Sequence, residues 1–204
     1  MNKEQLIIGG VYATDIYSQL RVLAYDPIEL FYDSWWEHKN DWGLNCHNGK
    51  VIFYRSGTSA FEKTAKLIRV DPLSETEQSK YKLNLPLRLC RHPQILWTQK
   101  IFTDFNHFTG YLEDHDIPLK QEPVLQTAQI VLEPMGPNGG FKKSSTIKAD
   151  NGKWFTEPEL LWKAFQIQSA YKTSITNGVG LYRSGLSKGL ASYYIGGYHN
   201  LAGL

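Results

Sequence analysis

The sequence predicts an α+β fold, and three observations carry that expectation. Short runs rich in β-branched and aromatic residues recur at intervals of about 8 to 15 residues through the first quarter of the chain, each closed by a turn signal. Two later segments place helix-start residues before apolar positions at helical spacing. The carboxyl-terminal third then returns to strand-like runs broken by glycine. At 204 residues the chain is long enough for one full core or two small ones, and its 13% aromatic content excludes a disordered chain.

Residues 6–12, 19–25, 29–35 and 50–54 are the expected strands of the first part. Gly-Gly, Asp-Pro, Lys-Asn-Asp and Asn-Gly separate them, as a β-meander requires. The pattern Gly10-Val11-Tyr12, Arg21-Val22-Leu23 and Phe31-Tyr32-Asp33 is similar to SH3-like small barrels, which implies a barrel at this end. Ser59 and Glu62 have capping-box spacing, and Phe61, Ala65 and Ile68 share a helical face that Pro72 terminates. Ser74 and Glu77 form a second box that starts a short turn. Residues 83–89, with Pro86 and Pro93 as breakers, are expected to be irregular and packed, and residues 102–123 to form a long surface connection. The predicted organisation is therefore a small barrel plus helix over 1–72, a connection over 73–123 and a basic α+β unit over 124–204.

In that last unit, residues 128–132 read as a strand, and Pro134-Met-Gly-Pro-Asn-Gly-Gly140 is the strongest turn signal in the chain. Residues 141–149 are compatible with a second strand, and Asp150-Asn151-Gly152 closes another turn. Thr156 caps a helix with Pro158 in its first turn and Glu159 at the capping-box position. Leu160, Ala164, Ile167 and Tyr171 make its apolar stripe, with Leu161 and Phe165 beside it, and Asn177-Gly178 stops it.

The formal charge of +2 conceals an asymmetry. Residues 1–136 hold 14 Lys and Arg against 17 Asp and Glu, whereas residues 137–204 hold 8 against 3. A one-sided positive field concentrates polyanions, although solvated lysines would give the same count. No apolar run approaches the roughly 18 residues of a membrane helix, and the amino terminus lacks the apolar core of a signal peptide. Two cysteines are too few for a disulfide framework and fit a reducing compartment, so a cytoplasmic protein is expected.

The stretch NGVGLYRSGLSKGLASYYIGGYHN, residues 177–200, carries six glycines, four tyrosines and no acid. Gly178 and Gly180 permit close backbone approach, Arg183 and Lys188 offer charge, and Tyr182, Tyr193 and Tyr194 offer flat faces on which bases stack. The order of elements excludes a dinucleotide fold, which needs its glycines after a strand and before a helix, and the P-loop pattern is absent. Helix, then Gly-Val-Gly-Leu-Tyr-Arg-Ser … Lys-Gly, then strand resembles the glycine-rich loop near the carboxyl end of RNA-binding proteins of the CRISPR RAMP type, over about 15 residues. The competing reading makes these glycines cap and bulge residues and the tyrosines sheet packing. Tyr-Arg-Ser-Gly at 182–185 also occurs at 54–57, too short a string to mark a repeat.

Three other clusters bear on chemistry. Asp26, with Glu37 and Lys39 eleven and thirteen residues on, matches a loose PD-(D/E)xK nuclease pattern, in which two carboxylates hold Mg²⁺ and the lysine activates water. His38, Cys46, His47, Cys90 and His92 are zinc-compatible in type but lack Cys-x2–4-Cys spacing, and neither cysteine is locally activated. His107, Glu113, Asp114, His115 and Asp116 read as a solvated loop, and no Gly-x-Ser-x-Gly occurs. Trp35, Trp36 and Trp42 crowd one strand and the loop beyond it, and alternation puts Trp35 and Trp36 on opposite faces, one of them available to a partner.

The function expected from these features is binding without catalysis and without a cofactor. A prokaryotic or phage accessory protein would contact nucleic acid through Arg183, Lys188, Tyr182, Lys142 and Lys143. The alternatives are the Mg²⁺-dependent nuclease at Asp26, Glu37 and Lys39, and a protein-interaction domain with an aromatic groove at Trp35 or Trp36.

Overall fold

The computed structural model describes residues 6–15, 19–95, 102–174 and 178–198. It is α+β, with two compact units: over the described residues, unit 1 takes 6–87 and 185–189, and unit 2 takes 88–184 and 190–198.

Unit 1 contains β1 (Gly10–Ala13), β2 (Leu20–Tyr25), β3 (Glu29–Trp36), β4 (Asp41–Gly43), β5 (Asn45–His47), β6 (Lys50–Ile52) and β7 (Tyr54–Gly57). These are followed by α1 (Thr58–Thr64), β8 (Lys66–Val70) and α2 (Glu75–Tyr81). The main sheet runs β4-β3-β2-β1-β8, and β7 pairs with β3 as well. The path has two ends and does not close into the expected barrel. The strand sequences explain this, because both faces are apolar. Leu20, Val22, Leu30 and Tyr32 pack with Phe61 of α1 on one face. Leu23 and Phe31 pack with Phe53 and Leu73 on the other, where Tyr81 of α2 joins them. A sheet buried on both faces needs a layer on each, whereas a small barrel leaves one face to water.

The expected helix from Ser59 to Pro72 is cut short. Its N-cap is Gly57, without a side-chain cap bond, and the helix ends at Thr64. Residues 66–70 leave it to pair with β1, so Ile68 lies on a strand and is exposed. Pairing with an open sheet edge outweighs a helical spacing that Ile68 and Val70, both β-branched, support poorly. The second box forms in full: Ser74 Oγ accepts from the Glu77 N–H, and Glu77 Oε2 accepts from the Ser74 N–H at 2.9 Å. Asn48-Gly49 joins β5 to β6 with φ of 50° and 73°, the two left-handed positions of a type I′ turn.

Unit 2 contains β9 (Arg88–His92), α3 (Phe105–Asp114), β10 (Pro123–Leu125), β11 (Gln129–Glu133), β12 (Ser145–Lys148) and β13 (Phe155–Thr156). These are followed by α4 (Glu157–Gln168), a 3-10 turn (Ser169–Ser174), β14 (Val179–Ser187) and β15 (Leu190–Gly196). Strand β14 belongs to unit 2 only as far as Ser184. The strand order is β12-β11-β15-β14, with β9 also on β14, and β11 and β15 are parallel. Buried Leu160, Leu161, Ala164 and Phe165 form the inner face of α4, close to the expected stripe. The helix ends earlier than expected, at Gln168, and Asn177 lies outside the described residues.

The expected surface connection at 102–123 contains a ten-residue helix. Asp104 caps α3 by accepting the His107 N–H at 2.9 Å. Phe108 and Leu112, four residues apart, are both buried on it. Phe108 meets Trp162 of α4 at a ring separation of 5.7 Å. His107 is therefore part of a cap motif, not of a solvated loop.

The glycine-rich stretch forms strands. Gly180 and Gly196 leave room for the Tyr182 ring, which a Cβ at either position would crowd to 2.7 Å or 3.1 Å. Tyr182 stacks on Tyr194 with centroids 5.1 Å apart, and its hydroxyl donates to the Gly197 carbonyl at 2.7 Å. A flat ring covering strand glycines replaces the side-chain packing that glycine lacks. Among the described residues no helix is long and apolar enough to cross a membrane.

Candidate anion-binding cleft

Strand β9 is the sequence Arg88-Leu89-Cys90-Arg91-His92, in which plain alternation would set Arg88 and Arg91 on opposite faces. It is bulged. Val179 stands opposite His92 and Leu181 opposite Leu89, so β9 spends three steps where β14 spends two. The extra residue is accommodated by Cys90, which has a φ of 51°. Left-handed backbone at a non-glycine residue costs on the order of 1 kcal/mol, and bulges re-aim the side chains beside them. Here the bulge buries the consecutive pair Leu89 and Cys90, and it brings Arg88, Arg91 and His92 to one concavity.

That concavity is a cleft of about 480 Å³ within unit 2, completed by Pro118, Leu119, Lys120 and Glu157. Glu157 is the first residue of α4 and the single carboxylate in the lining. Its Oε1 lies 3.0 Å from His92 Nε2, and its Oε2 accepts the Lys120 N–H at 2.9 Å. Burial pushes the Glu157 carboxyl up, but the bonds from His92 and the Lys120 backbone outweigh it and hold the group below its usual range. The carboxylate thus stays charged and is occupied internally. Arg91 lies 4.7 Å from the centroid of the Tyr198 ring, a cation–π distance that orients the guanidinium.

Cys90 has no nucleophilic character, since burial and then the Glu157 charge push its thiol well above the usual value. Nearby Tyr193 is pushed up to about 12, by burial first. Glu157 is thus committed to two partners within the cleft, and the guanidinium nitrogens of Arg88 are buried.

The positions expected from sequence are dispersed. Arg183 and Tyr182 are buried, at 1% and 3% exposure. Arg183 lies 5.5 Å from the Tyr193 ring centroid, and burial lowers its pKa. The matching Arg55 of the first Tyr-Arg-Ser-Gly is 47% exposed and 3.8 Å from Glu29, so the shared string has two unrelated environments. Lys142, Lys143 and Lys188 are exposed, and Lys188 sits at the left-handed first position of the β14–β15 turn.

Asp26 and Glu37 flank opposite ends of β3, whose eight residues span roughly 26 Å at about 3.3 Å each. The Asp26 carboxylate accepts the N–H groups of Ile28 and Glu29, both at 2.8 Å, and so shapes the β2–β3 turn. The side chain of Lys39 lies over Trp36 at 4.1 Å. The structure does not bring these three groups together at one position. Among the described residues, no three His, Cys, Asp or Glu side chains converge on a metal position. Trp35 and Trp36 are both half-buried, Trp35 against Trp42 at 5.3 Å and Trp36 against His38 at 5.9 Å.

No family model matches the chain, and no curated protein or solved structure matches it.

Proposed function

We propose that this protein binds nucleic acid without catalysing its cleavage, and that the Arg88, Arg91 and Lys120 cleft is the contact surface. The observation that supports this reading is that Arg88, Arg91 and Lys120 line one concavity whose one lining carboxylate is bonded to His92 and a backbone N–H. Arginine suits phosphate because its fork delivers paired hydrogen bonds, and lysine adds a point charge. The 8 cations against 3 acids of residues 137–204, with Lys142 and Lys143 exposed, add a positive bias to the carboxyl-terminal third of the chain.

The test is fluorescence anisotropy with labelled single- and double-stranded DNA and RNA across a salt series. Each phosphate contact on a single strand contributes about 0.7 to the slope of log affinity against log salt. The triple variant Arg88→Gln, Arg91→Gln, Lys120→Gln is expected to flatten that slope by about 2 and to weaken binding about a hundredfold at low salt. An unchanged slope and affinity, in a variant whose near-ultraviolet circular dichroism matches the parent, would sink the proposal.

A further inference from the structure

In unit 1, Arg21 holds two carboxylates on one nitrogen. Its Nη2 donates to Asp33 Oδ2 and to Glu77 Oε1, each at 2.7 Å, and its Nε donates to Asp33 Oδ1 at 3.3 Å. Arg21 and Asp33 are both buried, so two acids face each other across a single cation with little water between them. Such a pair resists double ionisation. Burial raises the Glu77 carboxyl, but donation from the Ser74 N–H, Arg21 and the Ser74 hydroxyl outweighs it and holds the group below its usual range. Asp33 is therefore the member that titrates, and the Glu77 charge adds to the burial that pushes it up. The neighbouring elements bring Val11 of β1, opposite Arg21, and Trp42 of β4, 4.8 Å from Arg21. Asp41 of β4 accepts the Trp42 N–H, and Arg69 of β8, 6.0 Å from the same ring, is held by Asp71 at 3.0 Å.

The movable member is α2. None of its seven residues is buried, and its last residue, Tyr81, meets Phe53 edge-on at 6.1 Å. Leu73 before it and Leu83 after it join the core below, and Lys82 turns the chain there with a φ of 54°. The helix is thus tied at both ends and held between them by the Arg21–Glu77 bond. A helix of this length is marginal on its own in water, so lifting it off the sheet also unravels it.

We propose that α2 is a strap gated by Asp33, docked on the sheet while Asp33 is protonated and released when it ionises. With Asp33 neutral, Glu77 is the anion that neutralises Arg21, and lifting α2 leaves a buried guanidinium uncompensated. With Asp33 ionised, Arg21 is satisfied by Oδ1 and Oδ2, and Glu77 becomes a like charge whose departure is favourable. The coupling is reciprocal: Glu77 raises the Asp33 carboxyl, so ionised Asp33 weakens the hold on Glu77. Docking takes up a proton, and the strap opens as the pH rises through about 6. Release uncovers Arg21 and removes Gln78 from the wall of a cavity of about 300 Å³ lined by Leu23, Ala24 and Leu73. This device is independent of the nucleic-acid reading.

Hydrogen exchange of the full chain, read by mass spectrometry at several pH values from about 5 to 8 and corrected for the intrinsic pH dependence of exchange, tests the strap. The amides of residues 77–83 are expected to exchange at least tenfold faster than those of β2 and β3 at every pH, because α2 opens without the sheet. Their protection is expected to fall about tenfold across the series, since each unit by which the Asp33 pKa drops on release is a factor of ten. Asp33→Asn keeps the bond from Arg21 and is expected to hold α2 at its low-pH protection throughout. Glu77→Gln removes the anion that docks the helix, so its α2 should be weakly protected even at the lowest pH. Equal exchange of α2 and the strands overturns the proposal, because the helix then leaves only with global unfolding. So does equal protection of α2 at both ends of the pH series. A fall that survives in Asp33→Asn also overturns it, because another group then drives the opening.

Discussion

Asp33→Ala is expected to lower the stability of unit 1 by about 3 to 5 kcal/mol, the cost of removing one partner from a buried ion pair. Asp33 is 1% exposed and faces Arg21 across β2 and β3, with Arg21 Nη2 donating to Oδ2 at 2.7 Å. The same nitrogen donates to Glu77 of α2 at 2.7 Å, so the triad ties the sheet to the helix packed on it. Alanine leaves a guanidinium of 4% exposure with one carboxylate partner and a void beside it. Asp33→Asn separates charge from hydrogen bonding, because the amide oxygen still accepts from Arg21. Burial pushes the Asp33 carboxyl up to about 6 from 3.8, against the opposing pull of Arg21. Between those values the folded state holds a proton that the unfolded state has released. The stability added by that retained proton is therefore fully present below pH 4 and is lost as the pH rises through 6, while the bonds to Arg21 remain. Asparagine copies the protonated form at every pH. The stability difference should thus move in favour of Asp33→Asn by about 2 kcal/mol between pH 4 and pH 7. Urea unfolding followed by tryptophan fluorescence measures it, since Trp42 lies 4.8 Å from Arg21. Parallel stability curves for wild type and Asp33→Asn would refute the coupling.

The parts of this fold that were legible in the sequence are those written locally. Strands β2 and β3 announced themselves through β-branched and aromatic runs closed by Asp26-Pro27 and the polar tip after Trp36. The capping box at Ser74 and Glu77 formed as its spacing required. Helix α3 was also local, with Asp104 as cap and Phe108 and Leu112 four apart, but the acids and prolines around it masked the spacing. The α1 boundary was lost to a tertiary effect, because β1 presented an edge that residues 66–70 could pair with. The cleft was illegible for a different reason. Glu157 stands 65 positions from His92 and 37 from Lys120, so their meeting is a property of the topology. The bulge that aligns Arg88 with Arg91 is made by a cysteine in a left-handed conformation, a residue type that carries no turn signal. Only the basic density of Arg88-Leu-Cys-Arg-His92 hinted at it. Glycine-richness, by contrast, pointed at residues 177–200, where Gly180 and Gly196 in fact accommodate the ring of Tyr182.

Gly185→Ala is the second change expected to be severe, and it shows which glycine of that stretch is indispensable. Gly185 has a φ of 144°, a region L-residues seldom enter, and it stands opposite Ile52 in the pairing of residues 185–187 with β6. A Cβ there would overlap the Val51 carbonyl oxygen and lie 3.0 Å from the Val51 carbonyl carbon. Both obstacles are backbone, so no rotamer change relieves them. The strain of the φ value costs about 1 to 3 kcal/mol, and forcing the strands apart costs about as much again. The variant is expected to lose about 3 to 5 kcal/mol in unit 1, with fast amide exchange at Leu186 and Val51 as the pairing opens. Gly189→Ala supplies the control. Gly189 also has a positive φ, 77°, but its Cβ would meet nothing within 4 Å. Its cost should stay near 1 to 2 kcal/mol, and Gly189→Asn should cost less, because asparagine tolerates the left-handed region of a type I′ turn. If Gly185→Ala melts no lower than Gly189→Ala, the close approach of residue 185 to β6 is not what holds this strand in register.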